Sequence, residues 1–382
     1  MRNIYKHLPL FFLIVIASFS CKNSSKTFFL QGEIEGSNAK KVYLYELLPD
    51  EEILVDSSSI INGKFKFNIK QDDKSIYLIE IAETEKINFI AKSGDKLSFK
   101  ADFLFGVESY FFKDSDENNL LMEMNRRLQN CYETTDTLSK AYKNLYYADD
   151  YEAEKYRIDS LYNLMFSEHR EWLTDIIVSE KYPFVALIAF YQSIGTRRFF
   201  NDKNDFDILT ILHKSLNEKH PQNTHTQSFN SKFLNLKNEI EEEVNLLESL
   251  LPGNKTPHFS LFTHEKGSIT NADFAGQNYI IYFWNLISDN SPQYLQNLEK
   301  IAQKTPIIAV ALEPNISVWE KLIAKEYLFA INSIEEKAFD SPTALQFNIK
   351  ETPHFYLINK DDKIVCSTNN IDSLKQYLKN EK

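Results

Sequence analysis

The chain has 382 residues, which points to two or three domains, and 43% of them are hydrophobic, ample material for real cores. Its 29 Phe and 20 Tyr predict aromatic-rich packing. A formal net charge of −11, with Lys interleaved among Asp and Glu, argues against nucleic acid or an anionic lipid surface as a partner of the folded part.

The N-terminus reads as a targeting signal. Arg2 and Lys6 form a basic start, the run 8–19 is apolar but too short for a comfortable membrane span, and Ser18, Phe19 and Ser20 lead into Cys21. That ending resembles the lipobox of bacterial lipoproteins, which implies a signal peptide over 1–20, cleavage before Cys21 and acylation of that cysteine. Residues 21–26 then form a polar tether. The chain would be membrane-anchored through lipid in the cell envelope. Lys22, Asn23, Ser24 and Ser25 lack the acidic cluster of a surface-export tag, which tilts the expectation towards the periplasm. With Cys21 lipidated, only Cys131 and Cys366 remain, in different expected domains, and both read as buried or idle thiols.

From 27 to 115 the pattern is β. Alternating runs at 28–34, 42–45, 53–56, 65–67, 76–81, 87–91 and 97–99 are separated by turn residues, and Asn62-Gly63 between apolar runs is a strong hairpin signal. About seven short strands at this spacing predict a small antiparallel β-sandwich. Leu30 to Ile34, Asp56-Ser57 and Gly63 to Phe67 resemble a module found in front of thioredoxin-like domains in lipoproteins of Bacteroidota. That resemblance implies no known chemistry.

From 116 to 251 the period becomes helical. Leu120, Leu121, Met124, Leu128 and Cys131 share one face; Ile158, Leu161, Met165, Trp172, Leu173 and Ile176 mark a longer helix that ends near Pro183. The run 184–194 is apolar nearly all round and predicts a buried helix closed by Gly195. Two more helices are predicted over 208–216 and 229–251. The pattern leaves open whether these helices form their own bundle or pack on their neighbours. Asp136, Thr137 and Leu138 resemble an O-glycosylation triplet of the same bacterial group.

Pro252, Gly253, Asn254, Lys255, Thr256 and Pro257 are the clearest breaker cluster and open the last domain, 252–382. A strand is predicted at 258–262, a turn and short helix at 268–274, and a buried strand at 279–284. A helix follows at 292–303, a strand at 306–312, a helix at 317–326 and the end of another at 345–347. The hairpin 355–366 and a closing helix at 371–378 finish an α/β order. The whole is thus an α+β multidomain chain: β-sandwich, helical middle, C-terminal α/β domain.

This last third resembles the membrane-tethered thioredoxin-like oxidoreductases of the TlpA/ResA type. The matches are Gly253, Pro257 and Phe259 at its start, Gly267 in the next hairpin, Phe283-Trp284 ending the core strand, Trp319 after the following one, and Thr352-Pro353 before the final hairpin. The resemblance implies a thioredoxin fold with a cis-proline loop. It also implies two redox cysteines, and there the chain departs. Their places hold Ser288 and Ser291, with Asp289 and Asn290 between. Ile287 stands for the family's Trp, and Tyr282 holds a place where many thioredoxins bury an Asp. A hydroxyl forms no disulfide and is a poor nucleophile without a base.

What remains reads first as helix capping by Ser288, Asp289, Asn290 and Ser291, with Pro292 in the first turn. A triad of Ser291, His354 and Asp289 is the sharper alternative, without a Gly-x-Ser-x-Gly elbow behind it. Asp289 and His354 are too few ligands for a metal, the other histidines show no ligand spacing, and no cofactor is predicted. The resemblance also implies a groove for extended peptide, formed here by Trp284, Asp289, Asn290, Thr352, Pro353 and His354. The expectation is a redox-inactive envelope lipoprotein that binds a protein or peptide partner. The alternative is a thiol-disulfide oxidoreductase or peroxidase-like enzyme that uses Cys131 or Cys366 as a single thiol.

Overall fold

A computed structural model describes residues 26–82, 85–103, 110–145, 150–263, 266–288 and 292–380. The targeting segment and Cys21 lie outside the described residues, as do Asp289, Asn290 and Ser291. The chain divides into two compact units, 1–236 and 237–382. Among the described residues no helix is long and apolar enough to cross a membrane.

The first unit begins with eight strands: β1 (Thr27–Glu35), β2 (Lys41–Leu47), β3 (Glu52–Ser59), β4 (Lys64–Lys70), β5 (Ser75–Ala82), β6 (Glu85–Ala91), β7 (Lys96–Asp102) and β8 (Tyr110–Lys113). They form two four-stranded sheets, ordered β4-β1-β7-β8 and β3-β2-β5-β6. The pairing is antiparallel with one exception that corrects the expectation: β1 and β7 run parallel. The two sheets face each other across Phe28, Leu30, Phe67 and Phe99 from one and Val42, Leu44, Tyr77 and Phe89 from the other. Period-two alternation is plain in β4, where Phe65, Phe67 and Ile69 are buried and Lys64, Lys66, Asn68 and Lys70 exposed. A Cβ at Gly32 would meet the Phe65 ring at 2.0 Å, so glycine is what lets that ring lie against β1. Asn62 and Gly63 both have positive φ, 52° and 74°, as a tight hairpin turn requires. The turn closes only the pair Ile61 and Lys64, after which β3 and β4 part into different sheets.

Five helices follow: α1 (Asp116–Lys143), α2 (Tyr151–Val178), α3 (Pro183–Phe190), α4 (Phe206–Lys219) and α5 (Thr224–Ser249). They do not form an isolated bundle. Leu121, Met124, Leu173, Phe184, Leu212 and Phe229 share one core with Ile76 and Ile90 on the outer face of the second sheet. That second cover explains why β5 and β6 read as nearly continuous apolar runs. The predicted helix 184–194 is shorter than expected. It stops at Phe190, and Gly195 turns a two-residue ladder between β9 (Ser193–Ile194) and β10 (Arg197–Arg198). Thr137 of the Asp136-Thr137-Leu138 triplet sits inside α1 with its hydroxyl donating to the Glu133 carbonyl at 2.9 Å.

The second unit holds β11 (Ser260–Thr263), β12 (Gly267–Thr270), β13 (Tyr279–Trp284), α6 (Pro292–Ala302), β14 (Ile307–Leu312), α7 (Ile316–Glu326), β15 (Ile331–Glu335), α8 (Pro342–Gln346), β16 (His354–Ile358), β17 (Ile364–Thr368) and α9 (Ile371–Asn380). Its sheet runs β12-β11-β15-β14-β13-β16-β17. β13, β14 and β15 are parallel, joined through α6 and α7, while β16 and β17 return antiparallel. This is the order of a thioredoxin-like fold. β13 and β14 are buried at every position. One face packs α6, α7 and α9 through Leu298, Trp319, Ile323 and Leu374; the other packs Ala344 of α8 and Leu246 and Leu250 from the end of α5 and the turn after it. The strand β15 and the strand β12 in place of a turn were not expected.

Candidate functional site

β13 carries the chain to the C-terminal end of its parallel strands, where open α/β sheets place their ligands. Its last pair with β16 is Phe283 opposite His354. Trp284 therefore lies level with Pro353, and the segment 285–288 leaves from beside the Thr352-Pro353 loop. The Thr352-Pro353 peptide bond is cis. The register thus brings together the two segments that the sequence placed at the site.

The segment 285–288 folds on itself. The Ser288 amide donates to the Asn285 carbonyl at 3.0 Å. The Asn285 amide donates to Ser288 Oγ at 3.0 Å, and Ser288 Oγ donates to Asn285 Oδ1 at 3.1 Å. The Ile287 amide adds a bond to the same Oδ1 at 3.2 Å. Ser288 is 8% exposed. Among the described residues its hydroxyl bonds Asn285 alone, an amide and not a base. Asn285 organises the turn and was not singled out from the sequence, although an Asn three residues before a Ser is a turn signal.

Burial corrects another expectation. Trp284 is wholly buried and stacks on Tyr327 with ring centroids 4.3 Å apart. It supports the site from beneath and offers no surface to a peptide. Tyr282 is also wholly buried, stacked 4.8 Å from Phe355, with its hydroxyl among those of Tyr327 and Tyr294. Burial, then those two neighbours, push its phenol far above the ordinary range. It is a group that stays neutral. The exposed group is Ile287, at 91%, with Leu286 at 38%.

His354 does not approach the start of α6. Alternation along β16 sends Phe355 to the face packed by α6 and sends His354 and Tyr356 to the other. The His354 ring lies 5.3 Å from Tyr356, and its Nε2 bonds Ser367 Oγ on β17 at 2.8 Å. Burial holds the imidazole below its ordinary value, with Glu351 pulling the other way. His354 thus lies on the face away from α6, while Asp289 and Ser291, the other members of the expected triad and of the weak metal pair, lie outside the described residues. Among the described residues no cluster of His, Cys, Asp and Glu could hold a metal. Thr352 and Pro353 are half-buried, and among the described residues the Thr352 backbone makes no hydrogen bond to another backbone group.

Cys131 and Cys366 form no disulfide and are buried, at 5% and 2% exposure. Cys131 lies in the helical core of the first unit and Cys366 on β17 opposite Leu357. Burial raises the Cys131 thiol above its ordinary value, with Arg127 opposing.

Residues 28–104 match a family described as a domain of unknown function, DUF4369. No curated protein matches the chain. Among solved structures, a thiol-disulfide oxidoreductase from Bacteroides fragilis is 21% identical, with 33% of this chain and 98% of that one covered and a TM-score of 0.31. The thioredoxin domain of a thiol-disulfide oxidoreductase from Bacteroides vulgatus is 19% identical over 35% of this chain and 99% of that one, at a TM-score of 0.31. A thiol:disulfide interchange protein from a Bacteroides species is 20% identical over 35% and 90%, at 0.30. The activity in those names belongs to those proteins.

Proposed function

We propose that this chain is a lipid-anchored protein of the cell envelope whose thioredoxin-like domain holds an extended segment of a protein partner and exchanges no disulfide. The observation that carries the reading is the pairing of a spent hydroxyl with an unspent backbone. Ser288, at the place of a redox cysteine, is closed on Asn285. Thr352, beside the end of β13, keeps backbone groups without a backbone partner among the described residues, and Ile287 is almost fully exposed. An extended peptide recognised by strand addition needs such a backbone edge and an apolar contact next to it. The alternative with a single reactive thiol finds no support in two buried cysteines, since a reactive thiolate needs access. The anchor would be Cys21, which holds the domain at the membrane.

Photoreactive residues at Ile287 and Thr352, introduced one at a time in cells, should capture the same envelope protein. A photoreactive residue at Tyr377, exposed on α9, should not. Capture by Tyr377 alone, or by none of the three, overturns the binding reading. The Cys21→Ser variant should move the chain from the membrane to the soluble fraction.

A further inference from the structure

β13 ends beside the Thr352-Pro353 loop and begins, six residues earlier, at Tyr279. At that far end of the strand a groove of about 590 Å³ opens between α6 and α9, a size typical of small-molecule sites. Its walls carry four lysines. α9 supplies Lys375 and Lys379, four residues apart and so on one side of the helix. Lys300 stands in the last turn of α6, and Lys304 lies in the turn that follows, where its amide donates to the Ile301 carbonyl at 2.9 Å. Lys300, Lys304 and Lys379 are exposed and Lys375 is half-buried.

One carboxylate answers these lysines among the described residues: Asp372 Oδ1, 3.0 Å from Lys375 Nζ. Glu299, the neighbour of Lys300, lines a different depression with Lys325 of α7. Four lysines less one aspartate leave three positive charges uncompensated, in a chain whose formal net charge is −11. Helix C-termini favour a cation, which accounts for Lys300 and Lys379 in the last turns of α6 and α9. It does not account for Lys304 beyond the end of α6, and like charges gathered in one groove repel. Neutral donors stand among them. Asn278 and Asn297 line the groove, and Asn278 Oδ1 accepts the Lys360 amide at 3.0 Å, which leaves its Nδ2 to donate. Ile301, Pro306 and Leu378 add an apolar surface.

We propose that this groove binds a small organic molecule that carries two phosphate groups. A lysine ammonium is a compact point charge with three donors and a common ligand of phosphate. A phosphate group carries about −1.5 to −2 at pH 7, so one group falls short of three positive charges and two neutralise them. Lys300 and Lys304 on one wall take one group, and Lys375 and Lys379 on the other take the second. The asparagine amides donate to the remaining oxygens, and the apolar surface takes the organic part. The groove and the Thr352-Pro353 loop lie at opposite ends of β13, so this site stands or falls independently of peptide binding.

The test uses the chain from residue 21 onward, which contains every described residue, with Cys21→Ser so that no lipid anchor contributes. The probe is inorganic pyrophosphate at about 50 mM salt, where charges are weakly screened. Calorimetry should show one site, and amide exchange should slow at 300–306 and 375–380 and stay unchanged at 352–356. Orthophosphate should bind at least about tenfold more weakly, since it meets one wall. Lys304→Glu with Lys379→Glu should weaken pyrophosphate by at least about tenfold. Lys321→Glu with Lys350→Glu changes the net charge equally at exposed positions outside the groove and should leave affinity within about twofold. Lys304 and Lys379 are exposed and make no ion pair among the described residues, so their variant keeps the fold, which a circular dichroism melt verifies. Phosphatidylcholine vesicles containing phosphatidylglycerol, the other source of phosphate, should leave exchange at 300–306 unchanged. The proposal is overturned if pyrophosphate fails to bind at about 1 mM, if the two charge variants lose affinity alike, if orthophosphate binds as well, or if the vesicles protect the groove.

Discussion

The two loops that meet at the end of β13 differ in what they leave open. In the segment 285–288 a polar turn ties Ser288 to Asn285, Ile287 stands exposed, and no thiol is present. In the segment 351–353 the peptide before Pro353 is cis, His354 enters the ladder opposite Phe283, and the Thr352 backbone has no backbone partner among the described residues. Chemistry depends on particular atoms. Shape depends on a sheet, and here the sheet is kept by wholly buried aromatic side chains beneath the loops.

Removing that support should hit both loops together. Trp284→Ala empties a fully buried position that stacks on Tyr327 and should cost about 3–5 kcal/mol. A thermal melt should show the C-terminal unit destabilised, and loss confined to the Thr352-Pro353 loop would break the comparison.

Acidification should separate the loops. Burial depresses the His354 imidazole, so the folded domain favours its neutral form. The unfolded chain takes up the proton more readily, and stability rises with pH wherever that holds. The contribution is whole above the ordinary histidine value of about 6.5 and is lost as pH falls through the depressed folded value. Amide exchange at residues 352–356 should therefore speed up in mild acid, after correction for intrinsic rates, while residues 285–288, which have no titratable side chain, keep their protection.

Smaller substitutions sharpen the contrast from the other side. Ser288→Ala removes two hydrogen bonds of the turn and should cost about 1 kcal/mol in a denaturant titration. It should leave partner capture at Thr352 in place. Ile287→Ser should change stability by no more than about 0.5 kcal/mol, because the side chain is exposed, yet should weaken partner capture. If Ile287→Ser left capture untouched, the exposed isoleucine would have no part in binding.

Much of the frame was legible. The buried runs of β13 and β14, the breaker at Pro252 and Gly253, and the alternation of β4 all follow from period and turn chemistry. What escaped has identifiable causes. β15 buries Asn332 and Ser333, which read as loop residues; Asn332 Nδ2 donates to the Tyr327 and Ala330 carbonyls and Ser333 Oγ to the Phe262 carbonyl. The Asn62-Gly63 turn was plain, but a turn says nothing about where its strands go next, and these part into two sheets. At the site, the sequence placed Thr352 and Pro353 beside the end of β13 through a familiar order of elements. It could not show that Trp284 points inward or that His354 points away from α6, since both depend on which face of the sheet a position takes.

The central proposal is that this thioredoxin-like domain exchanges no disulfide. Reduction of insulin disulfides by the purified full chain, with dithiothreitol as electron donor, tests it directly. The account predicts the rate of dithiothreitol alone, unchanged by Cys131→Ser or Cys366→Ser. A rate above that baseline which disappears with either cysteine would contradict it.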